Sequence, residues 1–501
     1  MNKKIRIISL TVIILLVVLE IWMGLQVWQL NIIPFKYFLL IAAALVLLDL
    51  LIARLLLVCK KKNIVLRRAL GYFLSVLVVV ALFMARQAIS KVQETMDAVT
   101  KEIQVNAVFE VYVLNENSID SIENAANYTI AMTKSVDPEN TSVALEALEE
   151  IAGENIKSKN YNTIFSAVNA LFANEVDALL INSVYVDILL EMEGYMDFQD
   201  RVKCIWEYDV YQTVEEPDVE NVVEAQVLET ESKYTPFVVY ISGSDTRSKK
   251  LKTSRSDVNI LAVVNPRTEQ ILLINTPRDY YIGNPAGNGA LDKLTHCGIY
   301  GVDCSMEALS ILYDAEIKYY GQINFTGFEK LIDAVGGVDV YSDTAFTVPR
   351  VNYSYSKGMN HLNGSQALFF ARERYRLSGG DNARGQNQMK VIKAVIDQIS
   401  AGNVIINYSE ILDSLQGMFA TNISADMISE LVKLQISEMI HWDVKSYAVT
   451  GTGDSQRTYS MPGANAYVMR PNQETVDLAK EMIDKVMAGE VLSDEDLRIF
   501  I

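Results

Sequence analysis

Two carboxylates and a set of arginines have the residue types needed for phosphate chemistry. Asp245 follows the apolar run "PFVVYISGSD", Arg255 and Asp257 precede "VNILAVVN", and Arg278 and Asp279 close "QILLINTPRD". Each sits where a strand-like run ends, and in open α/β sheets ligands gather at one set of strand ends. Asp245 and Asp257 meeting there would repel unless they shared a proton or a cation. Hard oxygen ligands beside a phosphate point to Mg²⁺, with Mn²⁺ as the alternative ion. The simpler reading leaves Asp245 as a turn residue and pairs Asp257 with Arg255.

The stretch "FFARERYRLSGGDNARGQNQ" adds Arg372, Arg374, Arg376 and Arg384. In extended chain the first three share one face; in a helix they scatter. Asp381 and Asn382 are good caps for a helix beginning near Ala383. Arg384 and Gln388 are then four apart, on one face of its first turns. A helix N-terminus presents free N–H groups and a positive dipole end. Arginine grips phosphate oxygens in bidentate fashion and keeps its charge, which suits a pyrophosphate. The plainer alternative is a surface network with Glu373 and Asp381.

Several reaction classes are excluded or weakened. There is no GxxxxGK[ST] for a P-loop. Only three histidines, His296, His361 and His441, are present, which disfavours histidine-based hydrolysis; a packed or capping role suits His296. The formal net charge of −18 and the absence of a nucleic-acid-binding element argue against nucleic acid as a partner.

The elements that must position these groups form an α/β protein behind a membrane anchor. Three apolar runs, Ile5–Leu30, Phe35–Val58 and Val65–Phe83, each approach the ~20 residues that span a bilayer as helix. Lys3, Lys4 and Arg6 precede the first; Lys60, Lys61, Lys62, Arg67 and Arg68 lie between the second and third. By the positive-inside rule both segments are cytoplasmic. The expectation is a multi-pass cell-membrane protein with three spans over residues 1–86, its C-terminal domains extracellular. A polar helical stalk follows, then alternating strand and helix patterns over residues 102–211, read as a small α/β accessory domain without a chemical motif. Residues 212–233 are an acidic linker. Residues 234–487 are a larger α/β domain whose central mixed sheet is flanked by helices, and they hold every candidate site residue.

Cys297 and Cys304 fall on the expected outer side, where a disulfide persists. On one unbroken helix their seven-residue separation rises ~10 Å, too far for a bridge. Gly298 and Gly301 between them would break the helix, leaving both a disulfide and two thiols open.

Four segments together, "SRSDVNILAVVNPRTEQILLINTPRDYYI", "DKLTHCGIYGVDCSMEALSILYD", "FTGFEKLIDAVGGVDVYSD" and "HLNGSQALFFARERYRLSGGDNARGQNQMKVI", resemble the LytR-CpsA-Psr (LCP) family. The resemblance covers about residues 236–400. The three-span anchor and the extra α/β domain look like the capsule-type branch of that family.

The resemblance implies a phosphotransferase that moves a glycopolymer, of capsular-polysaccharide or teichoic-acid type, from an undecaprenyl-pyrophosphate carrier onto peptidoglycan as a phosphodiester. Two alternatives stay open: a lipid-pyrophosphate hydrolase, and a non-enzymatic regulator that binds the lipid carrier and contacts polysaccharide-synthesis machinery. Carried over by motif, Asp245 and Asp257 hold Mg²⁺, while Arg255, Arg278, Arg372, Arg374 and Arg384, with Gln388, grip the pyrophosphate. Arg278, Arg372, Arg374 and Asp257 form the catalytic group, with Asp257 or a nearby carboxylate as the base. Asp279 orients Arg278, and Lys293 matches without an assigned role. The chain departs from the family pattern at Gln386, where an arginine is common.

Overall fold

The computed structural model describes residues 3–58, 63–100, 106–134, 137–153, 156–211, 234–246, 251–349, 353–374, 380–400, 411 and 415–497. The acidic linker 212–233, Arg376, and Cys59 with Lys60, Lys61 and Lys62 lie outside the described residues. The chain divides into two compact units.

The first unit holds Met1–Lys101 together with Ile396–Gln416 and Ile423–Trp442. Three helices, α1 (Lys3–Gln29), α2 (Phe35–Leu57) and α3 (Ile64–Thr100), form a bundle. Each is long and apolar enough to cross a membrane. A helix satisfies its own backbone hydrogen bonds, which a bilayer interior demands. Leu16, Ile52, Leu56 and Val78 pack where the helices meet, while most other apolar side chains point outward. The expected stalk is the unbroken continuation of α3.

One boundary differs from the sequence reading. Residues 425–438 were expected to help complete the C-terminal α/β domain, but the helix Ala425–Glu438 belongs to the unit of the membrane helices. Lys433 donates to Asn31 Oδ1 at 2.7 Å, and Lys36 donates to the Ser437 carbonyl at 3.0 Å. These contacts put residues 433–437 on the same side of the bundle as the turn between α1 and α2. Local helical periodicity is the same whichever unit a helix joins, so only packing assigns it.

The second unit is built on two mixed sheets. The accessory sheet contains β1 (Asn106–Leu114), β2 (Thr129–Met132), β3 (Lys157–Asn160), β4 (Ala178–Asn182) and β5 (Val202–Tyr211), in the order β3-β2-β4-β1-β5. Strand periodicity splits its side chains. Phe109, Val111 and Val113 of β1 join Ala144 and Leu148 of the helix Pro138–Ala152. Tyr112 faces the other way, with Phe165 and Val168 of the helix Ile164–Phe172. That second cluster continues into Ile299, Met461 and Ala466, so the accessory layer and the larger domain share buried apolar surface.

The larger sheet contains β6 (Phe237–Ser244), β7 (Val258–Asn265), β8 (Gln270–Asn275), β9 (Tyr319–Asn324), β10 (Phe419–Thr421) and β11 (Asp443–Ala448), in the order β10-β9-β6-β7-β8-β11. Its pairs β9–β6 and β8–β11 are parallel, and the other three are antiparallel. All six residues of β8 are buried, the pattern of a strand covered on both faces. Leu309 of the helix Val302–Tyr313 and Ile483 of the helix Gln473–Ala488 pack with Leu261, Leu272 and Ile274. The domain runs past residue 487: Leu492 is buried, and its N–H donates to Gln270 Oε1 at 2.8 Å.

Candidate active site

Sheet topology gathers residues far apart in sequence. Strands β6 and β7 are antiparallel, with Gly243 opposite Val258, so Asp245 at the end of β6 and Asp257 before β7 reach the same sheet edge. The Asp257 N–H donates to the Gly243 carbonyl at 2.9 Å. Strand β8, antiparallel to β7, ends at that edge and delivers Arg278. Strand β9, parallel to β6, ends there with Asn324 beside Ser244.

Asp257 is 16% exposed and Arg278 11%; Arg278 Nη1 donates to Asp257 Oδ1 at 2.9 Å. Thr295 Oγ1 donates to the same oxygen at 3.3 Å. The partner of Asp257 is therefore Arg278, and the expected alternative pairing with Arg255 is replaced. Arg255 instead approaches Asp245 Oδ2, at 3.7 Å. Asp279 lies between Arg278 Nε, at 3.7 Å, and Lys293 Nζ, at 3.0 Å.

The two aspartates have opposite electrostatics. Burial opposes the charge of Asp257, but Arg278, Arg255 and Arg384 outweigh it and hold its pKa below the ordinary carboxylate value. A carboxylate so stabilised is a poor proton acceptor. Burial, and then the charge of Asp257, push Asp245 up to about 6, against the pull of Arg255. A buried carboxylate strained by a like charge gains from a nearby cation. Among the described residues no group of three or more His, Cys, Asp or Glu surrounds a metal position. Two carboxylates at one sheet edge are the hard oxygen donors that Mg²⁺ would take.

The remaining arginines arrive on two helices. Arg372 ends the helix Gly364–Arg372. It ends a helix rather than beginning an extended run, with Arg376 outside the described residues. Its guanidinium lies 4.4 Å from the Phe325 ring centroid, a cation–π contact at the end of β9, and its charge reaches Asp245. Arg374 follows, half-buried, after the extended Glu373. The helix Gly380–Gln398 starts earlier than expected, placing Asp381 and Asn382 in its first turn. An added Cβ on Gly385 would lie 2.2 Å from Asn275 Nδ2, so glycine lets this helix approach the end of β8. Arg384 acts electrostatically on Asp257, and Gln388 is buried one turn on. Asn387 donates to the Phe370 carbonyl at 3.2 Å, tying the two helices together.

Cys297 and Cys304 are buried free thiols in this structure, and Cys304 Sγ donates to Asn284 Oδ1 at 3.3 Å. His296 is buried and lies 2.6 Å from Asp292, a structural pairing that holds the turn carrying Thr295. The Ser256 N–H donates to the Thr295 carbonyl at 3.2 Å, and the Thr295 N–H to the Arg278 carbonyl at 2.8 Å. A Cβ on Gly298 would come within 2.8 Å of both Ser254 O and Ser256 N. Because these are backbone atoms, Gly298→Ala must displace the loop that carries Arg255. The expected cost is about 1–3 kcal/mol, read as a lowered Tm together with lost phosphate binding.

Glu191 is the participant that sequence reading missed. It follows the helix Ser183–Leu189 of the accessory layer, and its Oε1 lies 2.8 Å from Arg255 Nη1 and 3.4 Å from Arg278 Nη2. Burial raises its pKa, but the two arginines prevail and hold it low. Asp187, four residues earlier, is raised by burial against the pull of Arg255. The available signal was two carboxylates at i, i+4 in an otherwise apolar segment, which share a helical face.

The arrangement suits an anion with several oxygens. Among the described residues the buried Nε atoms of Arg255 and Arg278 find no hydrogen-bond partner, and an unsatisfied buried donor is costly. Phosphoryl oxygens would satisfy them.

The match to the LytR_cpsA_psr family model covers residues 207–482, more than half of the chain. A polyisoprenyl-teichoic acid–peptidoglycan teichoic acid transferase TagU of Enterococcus faecalis is 34% identical over 198 residues, covering 39% of this chain and 64% of that protein. A TagU of Bacillus cereus is 32% identical over 237 residues, covering 46% of this chain and 77% of that protein. The match thus spans just under two thirds of the Enterococcus protein's length. Among solved structures, the Lin1025 protein from Listeria innocua shows 28% identity and a TM-score of 0.42, covering 51% of this chain and 99% of that one. With ordered motifs matched across its larger α/β domain, the chain belongs to the LytR-CpsA-Psr family.

Proposed function

We propose that this protein is a membrane-anchored phosphotransferase that moves a glycopolymer from a polyprenyl-pyrophosphate carrier onto a peptidoglycan hydroxyl. The observation that carries this reading is the cluster of Arg255, Arg278, Arg372 and Arg384 around Asp245 and Asp257 at one sheet edge. Relatives named as teichoic acid transferases support it. The positive flanks of the apolar helices favour an extracellular site, where such an acceptor resides.

In the reaction the acceptor oxygen bonds to the phosphorus that carries the polymer, and the pyrophosphate P–O bond breaks. Polyprenyl monophosphate leaves, and the hydroxyl proton goes to a base. Without a cation Asp245, whose pKa is pushed up to about 6, is the stronger proton acceptor of the two aspartates; a bound cation would lower it. Charge accumulates on phosphoryl oxygens in the transition state, and fixed guanidinium groups stabilise it without reorganising. Asp245 and Asp257 would also hold Mg²⁺, which supplies further charge neutralisation when bound.

The test uses full-length protein in detergent, Mg²⁺, labelled lipid-linked polymer and peptidoglycan. Label in the wall supports transfer. Free phosphorylated polymer indicates a hydrolase, and unchanged substrate despite tight binding indicates a regulator. Arg372→Ala and Arg374→Ala are each expected to lower turnover by about 10²–10³-fold. Undiminished transfer by both variants would remove these residues from the site.

A further inference from the structure

Glu191 lies outside residues 207–482, the part matched to the family, yet it occupies the space between two site arginines. One carboxylate oxygen shared by Arg255 and Arg278, at 2.8 and 3.4 Å, is the contact a phosphoryl oxygen makes with paired guanidinium groups. The arginines are 6% and 11% exposed, whereas Glu191 is 39% exposed. The carboxylate is thus the more exposed partner, and it occupies the Nη atoms that an anion held by both arginines would need. Asp245 and Asp257 hold the arginines from their other sides, so displacing Glu191 leaves them in place. Its turn is anchored behind, where the Glu191 N–H donates to Ile188 O at 3.1 Å and the Met192 N–H to Leu189 O at 2.9 Å.

We propose that Glu191 is a built-in competitor for the phosphoryl group, through which the accessory domain weakens anion binding and speeds product release. The inference rests on the reading above that the arginines hold a lipid-linked pyrophosphate. Arginines gathered this densely would also hold the polyprenyl monophosphate left after transfer. A carboxylate that returns to Arg255 and Arg278 replaces the departing oxygen, so the guanidinium groups never lie bare in a desolvated pocket. The accessory layer, which shares a buried core with the larger domain, thereby acts on turnover without supplying a group to the reacting atoms.

The experiment measures binding of geranyl diphosphate and geranyl monophosphate to full-length protein in detergent, together with kcat and KM for transfer. Wild type should bind both, and Arg278→Ala should lose both. Glu191→Gln, which keeps the shape and removes the charge, should tighten both ligands by about 10–100-fold, the range of one charged hydrogen bond. It should also lower KM and kcat together, as slow product release requires. Glu191→Asp, too short to bridge the two arginines, should move in the same direction, and Glu193→Gln should change nothing. If wild type binds and Arg278→Ala does not, but both Glu191 variants bind as wild type or more weakly, the competitor role is overturned while the phosphate site stands. If Arg278→Ala binds as well as wild type, or wild type does not bind, the site reading and this inference both fall.

Discussion

Replacing Arg278 by alanine is expected to eliminate transfer and to destabilise the fold at the same time. The side chain has two tasks, since one nitrogen holds buried Asp257 at 2.9 Å while the guanidinium group is proposed to grip phosphoryl oxygens. Stranding one member of a buried ion pair costs about 3–5 kcal/mol. Thr295 and the neighbouring charges of Arg255 and Arg384 remain near Asp257, placing the expected loss at the lower end. Loss of one preorganised cation adds about 10²–10³-fold in turnover. Denaturant unfolding and the transfer assay together resolve the two effects. In the double variant Arg278→Ala/Asp257→Asn most of the stability should return and none of the activity. A double variant as unstable as the single one would show that Asp257 is not the stranded charge.

The second large effect runs in opposite directions for stability and activity. Asp245 has its pKa raised from the ordinary 3.8 to about 6 by burial and by Asp257. Between those values the folded protein keeps a proton that the unfolded chain has released, so stability falls as pH rises from about 4 to about 6 and then levels. A shift of roughly two units corresponds to about 3 kcal/mol. Asp245→Asn, measured in metal-free buffer, should therefore be more stable than wild type by up to about 3 kcal/mol at pH 7.5. The gain should vanish near pH 4. The same variant should lose transfer, because it removes a carboxylate proposed to bind the cation. An asparagine variant less stable than wild type at pH 7.5 would contradict the strained carboxylate.

Much of the site was legible because its members terminate regular elements. Asp245, Asp257 and Arg278 each abut a strand whose apolar run is plain in sequence, and antiparallel neighbours necessarily bring alternate ends together. Individual pairings were less accessible. Arg255 and Asp257 are two apart and look like partners, yet Asp257 is matched to Arg278 across β7 and β8. Arg372 and Arg374 fall at a helix end, where helix and extended chain compete within one residue, so their relative placement could not be read from spacing. The thiols of Cys297 and Cys304 illustrate the same limit: broken helices bring them together, but proximity alone does not oxidise them.

By itself the sequence determined the three apolar helices, the two α/β layers, the strand ends and the residue types gathered there. These follow from hydrophobic periodicity, which is local and survives without a fold. Tertiary structure alone decided that Ala425–Glu438 belongs with the membrane helices and that Asp257 remains charged while Asp245 resists charge. It also decided that Glu191, from a layer without a motif, enters the arginine cluster. Such properties depend on burial and on distances between groups remote in sequence, and Coulomb interactions in a low-dielectric interior depend steeply on both.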